Sequence, residues 1–243
     1  MIEGEKLGSF WGYTFAGVWQ EDDVNAPFVD ANGQTNGKTN GEVYKVKPGN
    51  SKYVDVNKDG VYNDADQGII GCGQPTFNWG WNNTFNYKNF DFSFFVVGFH
   101  GFDIYNATHQ MGYNLIKSQQ MAGVTPMREL LNRWTPTNTN TDIPGFVKGG
   151  TENKDFFSTR FVENGSFIKM KSITLGYTLP EATCRSLGIN NLRVYASVQN
   201  PFHITKYSGL DPEATMGSPL VQGVDWGAYP NSRNYLIGLN FSF

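Results

Sequence analysis

Residues 233–243, at the end of the chain, place the strongest constraint on its fold. Every second side chain of this segment is apolar, and the residues between them are mostly small or polar. The apolar residues are Tyr235, Ile237, Leu239, Phe241 and Phe243. Because successive side chains of a strand point to opposite faces, one face of this strand is wholly apolar. A tilted strand of about 9 to 11 residues crosses a bilayer. The pattern therefore indicates a barrel strand that faces lipid.

Composition narrows the class of protein. Aromatic residues make up 15% of the 243 residues, Gly contributes 28, and the mean hydropathy is -0.42. Alternating strands joined by polar loops produce such values. The apolar run at residues 94–99 is far shorter than the 18 or so residues of a membrane helix, which excludes a helical membrane protein. The net charge of -3, without a basic cluster, excludes a nucleic-acid partner.

The amino terminus and the two cysteines give weaker constraints. Residues 1–6 lack the basic start and apolar stretch of a secretory signal, and we expect the beginning of the protein to be missing. Cys72 and Cys184 form no zinc pattern and define no disulfide framework. We predict that they are not bridged, because the expected topology separates them by a strand length of roughly 30 Å, whereas a disulfide needs Cα atoms within about 7 Å.

Five further segments show strand patterns, which makes about six strands in all. They are residues 9–20, 77–87, 90–101, 166–179 and 191–200. Residues 77–87 set a stripe of aromatics against a stripe of amides, as expected for a strand between lipid and water. In residues 90–101 apolar side chains interrupt the polar face, which predicts that part of the inner face packs against another element. Short and long connections alternate, so the strands are predicted to run up and down, with the long loops outside the cell.

The long connections contain one predicted helix and one predicted mobile loop. Residues 102–162 show no strand pattern, but Thr125-Pro126 is a plausible helix start, and apolar residues follow at helical spacing until Pro136. Between residues 30 and 50, three Asn-Gly dipeptides occur with no apolar period, which predicts a mobile loop. Residues 181–190 are predicted to be a turn region, and residues 201–230 a second long loop.

A calcium-type loop lies in the first third of the chain. Residues 55–66 place side-chain oxygens at positions 1, 3 and 5, Gly at position 6 and a carboxylate at position 12. The predicted ligands are Asp55, Asn57, Asp59, the carbonyl of Val61, and Asp66. We expect a structural calcium site with no catalytic role. The alternative is a series of Asx turns without a metal.

No pattern for catalysis occurs in the sequence. The three histidines, His100, His109 and His203, are far apart, and neither an HExxH nor a GxSxG motif is present. We therefore expect a protein that is not an enzyme. Five aromatic residues of the loops offer faces for stacking on sugar rings, although they could equally pack the loops or contact a partner. They are Tyr113, Trp134, Tyr207, Trp226 and Tyr229.

A series of short motifs carries a family resemblance over essentially the whole chain. The series comprises Gly12-Tyr13, Gly17-Val18-Trp19-Gln20, Asp55-Val56-Asn57-Lys58-Asp59-Gly60, Ile69-Ile70-Gly71, Tyr87-Lys88-Asn89-Phe90-Asp91, Arg133-Trp134-Thr135-Pro136, Asn164-Gly165-Ser166-Phe167, Thr174-Leu175-Gly176-Tyr177-Thr178-Leu179-Pro180, Tyr207-Ser208-Gly209-Leu210-Asp211-Pro212-Glu213 and Phe243. In this order the motifs resemble those of the SusC-like (RagA-like) TonB-dependent outer-membrane transporters of the Bacteroidetes.

The resemblance implies a fold, a location and a set of partners. Residues 1–243 would be the carboxy-terminal segment of an outer-membrane β-barrel whose plug domain and amino-terminal strands are absent from this sequence. Such transporters import oligosaccharides or glycans, and in some members peptides, with a SusD-like surface lipoprotein and with energy delivered through TonB. Because six strands cannot close a barrel of 22, we expect this segment not to transport by itself.

Two other functions compete with the transporter segment. A secreted β-sandwich that binds carbohydrate is the main alternative, and a surface adhesin is the weaker one. The aromatic faces separate the first two hypotheses, because a soluble sandwich must bury its apolar faces against each other.

Overall fold

The computed structural model describes residues 3–113, 127–145, 156–213 and 222–243. Its strands are β1 Ser9–Tyr13, β2 Phe15–Val18, β3 Pro27–Val29, β4 Thr35–Thr39, β5 Ser51–Tyr53, β6 Gln67–Cys72, β7 Phe77–Tyr87, β8 Phe90–His100, β9 Asp103–Asn106, β10 Val162–Asn164, β11 Phe167–Thr178, β12 Asn191–Thr205, β13 Val224–Asp225 and β14 Asn234–Ser242. Its α-helices are α1 Glu21–Asn25, α2 Asn40–Tyr44, α3 Ala107–Tyr113 and α4 Glu181–Ser186. Short 3₁₀ helices span Asp64–Asp66, Arg128–Asn132 and Thr159–Phe161. The predicted all-β class is confirmed.

The chain divides into two compact units. The first contains residues 1–72, 105–162 and 224–227, and the second contains residues 73–104, 163–223 and 228–243. No helix in the described ranges has both the length and the apolar character needed to cross a membrane.

The second unit contains a five-stranded antiparallel sheet in the order β14-β12-β11-β8-β7. Five of the six predicted strands form this main sheet, and the predicted bounds of β7 are reproduced to the residue. The Lys88-Asn89 turn joins β7 to β8, and Lys88 adopts a left-handed backbone with a φ of 53°. The strand β12 extends to Thr205, so the predicted start of the following loop at residue 201 is wrong.

The first predicted strand does not join the main sheet. Residues 9–20 form two short strands in the first unit, where β1 pairs with β6 and β2 pairs with β5. The register slips between Phe10 and Trp11 and again between Phe15 and Gly17, where Gly17 has a φ of 108°. A bulge moves the following side chains to the other face, so the alternation read from the sequence is not one continuous face.

The sequence predicts a mobile loop between residues 30 and 50, and this prediction is wrong. The strands β3 and β4 form a hairpin, and α2 follows at once. A capping box starts α2: the side chain of Thr39 accepts a hydrogen bond from the backbone N–H of Glu42, whose carboxylate accepts one from the N–H of Thr39. Asn32-Gly33 supplies the turn between β3 and β4, with a φ of 77° at Gly33, whereas Asn36-Gly37 lies within β4 and Asn40-Gly41 begins α2.

Two smaller predictions also need correction. The sequence predicts no strand in residues 102–162, but β9 lies there and β10 begins at Val162. The predicted turn after β11 contains the helix α4. The predicted helix start at Thr125-Pro126 lies outside the described residues, and Arg128–Asn132 of that segment form a 3₁₀ helix that ends before Pro136, as predicted.

Each unit has its own apolar core. In the first unit Phe10, Tyr105, Ala107, Phe161 and Val224 are buried together. The strand β13 lies parallel to β9 beside this cluster, with Val224 opposite Tyr105. The core of the second unit lies at one end of the main sheet.

Candidate functional site

One face of the main sheet is apolar across all five strands, and we call it the apolar face. The register places Phe85, Phe92, Leu175, Ala196 and Ile237 in one row across β7, β8, β11, β12 and β14. Four of these five side chains are large and apolar, and all four are exposed; Ile237 keeps 81% of its surface. Other rows of the same face add further exposed apolar side chains: Trp81, Tyr87, Phe90, Val194, Tyr235, Leu239 and Phe241. The face therefore needs an apolar environment.

The opposite face, which we call the polar face, carries hydroxyls at the neighbouring positions. Thr84, Ser93, Thr174 and Ser197 form a row that ends on Leu236 at β14. The Oγ atoms of Thr174 and Ser197 lie 2.8 Å apart and share a hydrogen bond. Adjacent rows, one residue apart along each strand, thus have opposite chemical character, which is the arrangement expected of a sheet between lipid and water.

An ion pair on the polar face passes over β11 at Gly176, which has no side chain to block it. Arg193 on β12 donates from Nε to Oδ1 of Asp91 on β8 at 2.9 Å, and a second bond joins its Nη2 to Oδ2. Gly176 of β11 lies between them, and a Cβ there would stand 2.3 Å from Asp91 Oδ1. Gly238 on β14 similarly leaves room for the ring of Tyr195, over which the Arg193 guanidinium stacks at 4.9 Å.

Toward the other end of the sheet the polar face becomes apolar. Phe102, Ile104, Phe167 and Tyr207 form a buried cluster, and Phe99 packs against it. The rings of Phe99 and Phe167 stack with centroids 5.2 Å apart. The prediction that part of the inner face of β8 packs on another element is confirmed.

The calcium-type loop lies in the first unit, and the structure places its residues in a network of hydrogen bonds. Asp55 Oδ2 accepts from the Tyr44 hydroxyl at 2.8 Å and from the N–H of Gly60 at 2.9 Å. The Asp66 carboxylate accepts from the N–H groups of Val56 and Asn63 at 2.8 and 3.0 Å. These contacts tie both ends of the loop together.

The middle of the loop is a set of Asx turns. Asn57 Oδ1 accepts from the N–H of Asp59, and Asp59 Oδ1 accepts from the N–H of Val61 at 2.8 Å. The bond from the Val61 N–H, with side-chain amide donors from Asn57 and Asn63, lowers the pKa of Asp59. Burial and the bond to Asp55 raise the pKa of Tyr44.

The oxygen donors of the calcium-type loop meet some of the requirements of a calcium site and not others. In the described ranges, no group of three or more His, Cys, Asp or Glu side chains is arranged to hold a metal ion. One oxygen nevertheless lacks a partner, because Asp55 Oδ1 is buried and accepts no hydrogen bond. The turn at Gly60, with a φ of 83°, has the backbone that the sixth position of a calcium loop requires. Calcium binding here remains a prediction.

The five loop aromatics have different environments. Tyr113 packs against the core of the first unit, and Tyr207 is buried in the second. Trp134 donates from Nε1 to Gln20 Oε1 at 3.0 Å and its ring covers Gly49. Trp226 and Tyr229 remain 57% and 90% exposed. Of these five, the last two present open ring faces, and packing accounts for the other three.

Two cavities of the first unit were not foreseen in the sequence. An open groove of about 730 Å³ is lined by polar groups, among them Gln20, Asn132, Asn140 and Asp142. A more enclosed cavity of about 300 Å³ lies beside the calcium-type loop and is lined by rings that include Tyr44, Tyr53 and Tyr62. The groove is lined by residues more than 100 positions apart in the sequence, and no local sequence pattern predicts that they lie close together.

The two cysteines are Cys72 on β6 and Cys184 on α4. Neither takes part in a disulfide, as predicted, and the thiol of Cys184 is buried against the carbonyl of Leu179.

Comparison with known proteins gives relatives along the whole chain. No family model matches it. TonB-dependent receptor P3 of Formosa agariphila is 35% identical over 247 residues, covering 99% of this chain and 22% of that protein. TonB-dependent receptor SusC of Bacteroides thetaiotaomicron is 32% identical over 199 residues, covering 81% of this chain and 18% of that protein. The chain thus spans about a fifth of the length of these relatives.

Solved structures share the fold. The structure of the RagAB peptide transporter matches 100% of this chain and 24% of its own with a TM-score of 0.70 at 23% identity. The RagAB peptide importer in the open-open state matches 97% of this chain and 22% of its own with a TM-score of 0.69 at 23% identity.

Proposed function

This chain belongs to the SusC-like family of TonB-dependent receptors, and we propose that it forms part of the wall and outer loops of an outer-membrane transporter that imports nutrients. The observation that carries the proposal is the apolar face of the main sheet. Its large side chains are exposed over all five strands, and outer-membrane lipid is the environment that such a face requires. The polar face then lines the lumen.

The same observation weighs against the β-sandwich alternative. A soluble sandwich buries one face of each sheet against the other. Here Ile237, Leu239 and Phe241 each keep more than half of their surface exposed. Burying an apolar side chain of this size stabilises a protein by about 1.5 to 3 kcal/mol, so a water-exposed face of this extent would be a strong liability. The full-length protein is proposed to transport and not to catalyse.

The proposed substrates are oligosaccharides or glycans. The polar groove supports this class, because the amides of Gln20, Asn132 and Asn140 and the carboxylate of Asp142 are suited to bind sugar hydroxyls. A peptide substrate is the second candidate. It is supported by the fold shared with a structure described as a peptide transporter.

Three partners follow from the proposal. The apolar face contacts outer-membrane lipid, the outer loops meet a SusD-like surface lipoprotein, and TonB acts through an amino-terminal region of the full-length transporter. The ends of β7 and β8 that adjoin the Lys88-Asn89 turn would lie on the periplasmic side, since barrels of this class have short periplasmic turns.

We also propose that the calcium-type loop binds calcium weakly and orders the outer loops. Asp55, Asn57, Asp59, Asp66 and the carbonyl of Val61 would hold the ion. The free lone pairs of the buried Asp55 Oδ1 support this, as does the glycine turn at the sixth position. Extracellular calcium modules bind at about 10⁻⁴ to 10⁻³ M, and the shorter Asp at position 12 favours the weak end of that range.

The test is uptake by cells that express the full-length protein with its native partners. Labelled oligosaccharides and labelled peptides are offered to cells with and without the gene, before and after the proton gradient is collapsed. Gene-dependent and gradient-dependent uptake of an oligosaccharide is the expected result. Uptake of peptides alone would select the second substrate class, and uptake of neither would contradict the transport proposal.

A further inference from the structure

A cluster of two lysines and two carboxylates lies at one end of the polar face. Lys169 on β11 is 2% exposed, and its Nζ donates to Asp211 Oδ2 at 2.9 Å and to Glu213 Oε2 at 2.7 Å. Lys171 pairs with the second oxygen of Glu213. Two ammonium groups and two carboxylates leave the cluster without net charge. A buried lysine is costly unless it is paired, so the position of Lys169 depends on these carboxylates.

The loop between β12 and β14 contributes to the cluster from both of its ends, which we call its two limbs. The first limb supplies the two carboxylates, and the second supplies Asn231, which donates hydrogen bonds to them. Asp211 and Glu213 follow β12 on the limb formed by residues 206–213. Asn231 lies on the limb formed by residues 228–233, which leads into β14. The backbone N–H and the Nδ2 of Asn231 donate to Asp211 Oδ2 at 3.1 and 3.0 Å, and Nδ2 also donates to Glu213 Oε2 at 3.1 Å.

Asp211 is therefore the meeting point of the cluster. Its Oδ2 receives the ammonium of Lys169 and both donors of Asn231, while Oδ1 receives the N–H of Glu213 at 3.0 Å. Charge-assisted hydrogen bonds of this kind are roughly twice as strong as neutral ones. A single side chain of the sheet thus holds both limbs of the loop through one carboxylate.

A local irregularity of β11 accompanies the two lysines. The register of β11 slips between Met170 and Ser172 against both neighbouring strands, so Lys171 has no cross-strand partner. Lys169 stays in register, opposite Val97 on β8 and His203 on β12. Both lysines reach Glu213 although Lys171 lies in the bulge, which is a position where strands re-aim side chains.

The two limbs do not depend equally on the cluster. The first limb has further anchors, because Tyr207 is buried in the apolar cluster and the carboxylate of Glu163 accepts from the N–H and the hydroxyl of Ser208, each at 2.8 Å. The second limb is held by Asn231, by a bond from Asn200 Nδ2 to the carbonyl of Ser232 at 3.1 Å, and by the burial of Ala228. Asn231 joins this limb to the cluster, so loss of Asn231 should free the second limb before the first.

We infer that Lys169 is the anchor of a charge-neutral clamp that ties both limbs of the last long loop to the polar face of the sheet. The clamp sets the position of two exposed apolar side chains next to its members. Leu210 precedes Asp211 and is 71% exposed, and Tyr229 precedes Asn231 by two residues and is 90% exposed. This role concerns loop position and does not depend on which nutrient the protein transports.

Hydrogen exchange of the full-length protein in detergent, followed by mass spectrometry, tests the inference. Lys169→Met should raise exchange at least tenfold in peptides that cover both limbs. The reason is that Asp211, which accepts hydrogen bonds from the N–H groups of Glu213 and Asn231, is no longer held in place by the lysine. Lys171→Met is the matched control, because this lysine is more exposed and its ammonium pairs with Glu213 and not with Asp211, so its effect should be small. Peptides of β11 and β12 should keep their protection in all variants.

Two further variants separate a clamp from a general packing role. Asn231→Leu should release residues 228–233 and leave residues 206–213 protected, because Lys169 still holds Asp211. Asp211→Asn keeps the shape of the side chain but removes its charge, and should loosen both limbs; it serves also if Lys169→Met fails to assemble. Unchanged exchange of both limbs in Lys169→Met or in Asp211→Asn would overturn the inference, as would equal release of both limbs in Asn231→Leu.

Discussion

Leu239→Arg in the full-length protein should block assembly into the outer membrane, whereas Leu236→Arg should not. Both residues are leucines of β14, three positions apart, and they lie on opposite faces. Leu239 lies opposite Val194 on the apolar face and is 62% exposed. Leu236 lies opposite Ser197, at the end of the hydroxyl row. The two variants therefore place the same charge on one strand and change only the environment that receives it.

The magnitude follows from the cost of a charge in lipid. An Arg facing lipid near the bilayer midplane destabilises a barrel by about 2 to 4 kcal/mol. Since about 1.4 kcal/mol corresponds to a factor of ten, the equilibrium ratio of assembled to unassembled protein should fall by a factor of about 30 to 700 for Leu239→Arg. On the polar face Arg remains in water or among hydroxyls, so Leu236→Arg should cost well under 1 kcal/mol, as surface substitutions usually do.

The assay is the amount of heat-modifiable protein in isolated outer membranes, measured by electrophoresis with and without boiling. Total expression is measured in parallel, so that loss of assembly is separated from loss of synthesis. Equal assembly of both variants, or a larger defect for Leu236→Arg, would refute the assignment of the two faces.

Three other results are expected. Gly176→Ala should destabilise the folded protein by about 1 kcal/mol or less in a denaturant titration, because its Cβ displaces the partly exposed pair that Arg193 forms with Asp91; a loss above about 3 kcal/mol would mean that the strand itself is disturbed. The loop clamp should be insensitive to pH near neutrality and open in acid. Burial would raise the pKa of Asp211, but bonds from Lys169 and from backbone N–H groups lower it overall. A carboxyl with a lowered folded pKa stabilises above its unfolded value of about 3.9 and loses that contribution as the pH falls through the folded pKa, so exchange of both limbs should rise only below about pH 4; release near neutral pH would contradict this. Asp59→Ala should abolish calcium-dependent protease resistance of residues 55–66 without affecting membrane assembly, and an identical response of variant and wild type to calcium and chelator would leave the loop a set of turns.

The main sheet was largely predictable because its determinants are local. Each strand of a barrel wall alternates between two solvents, so periods of two in residues 77–87 and 233–243 report both the element and its faces. The apolar interruption in β8 also gave a correct signal, since Phe99 packs on the cluster around Phe167. Strand ends were less certain, because β12 continues through Pro201 to Thr205 across a slip in its register with β11 between Gln199 and Phe202.

The remaining errors come from features that depend on distant residues or on bulges. The slip at Gly17 breaks an alternation that looks continuous in the sequence, and the hairpin before α2 resembles a polar loop because its strands bury few side chains. The clamp joins Lys169 to Asp211 and Asn231, which are 42 and 62 positions away, and no period in the sequence connects them. The ion pair over Gly176 likewise required the register of three strands.

The most direct test of the proposed barrel wall is the exposure of β14 to lipid. Single cysteines are placed at residues 235–242 of the full-length protein after its native cysteines have been replaced, and each is labelled with a fluorophore in proteoliposomes. Quenchers confined to the bilayer and quenchers confined to water are then compared. We expect Tyr235, Ile237, Leu239 and Phe241 to respond to the bilayer quencher, and the residues between them to respond to the aqueous one. Uniform quenching along the strand, or the opposite alternation, would contradict the proposed wall.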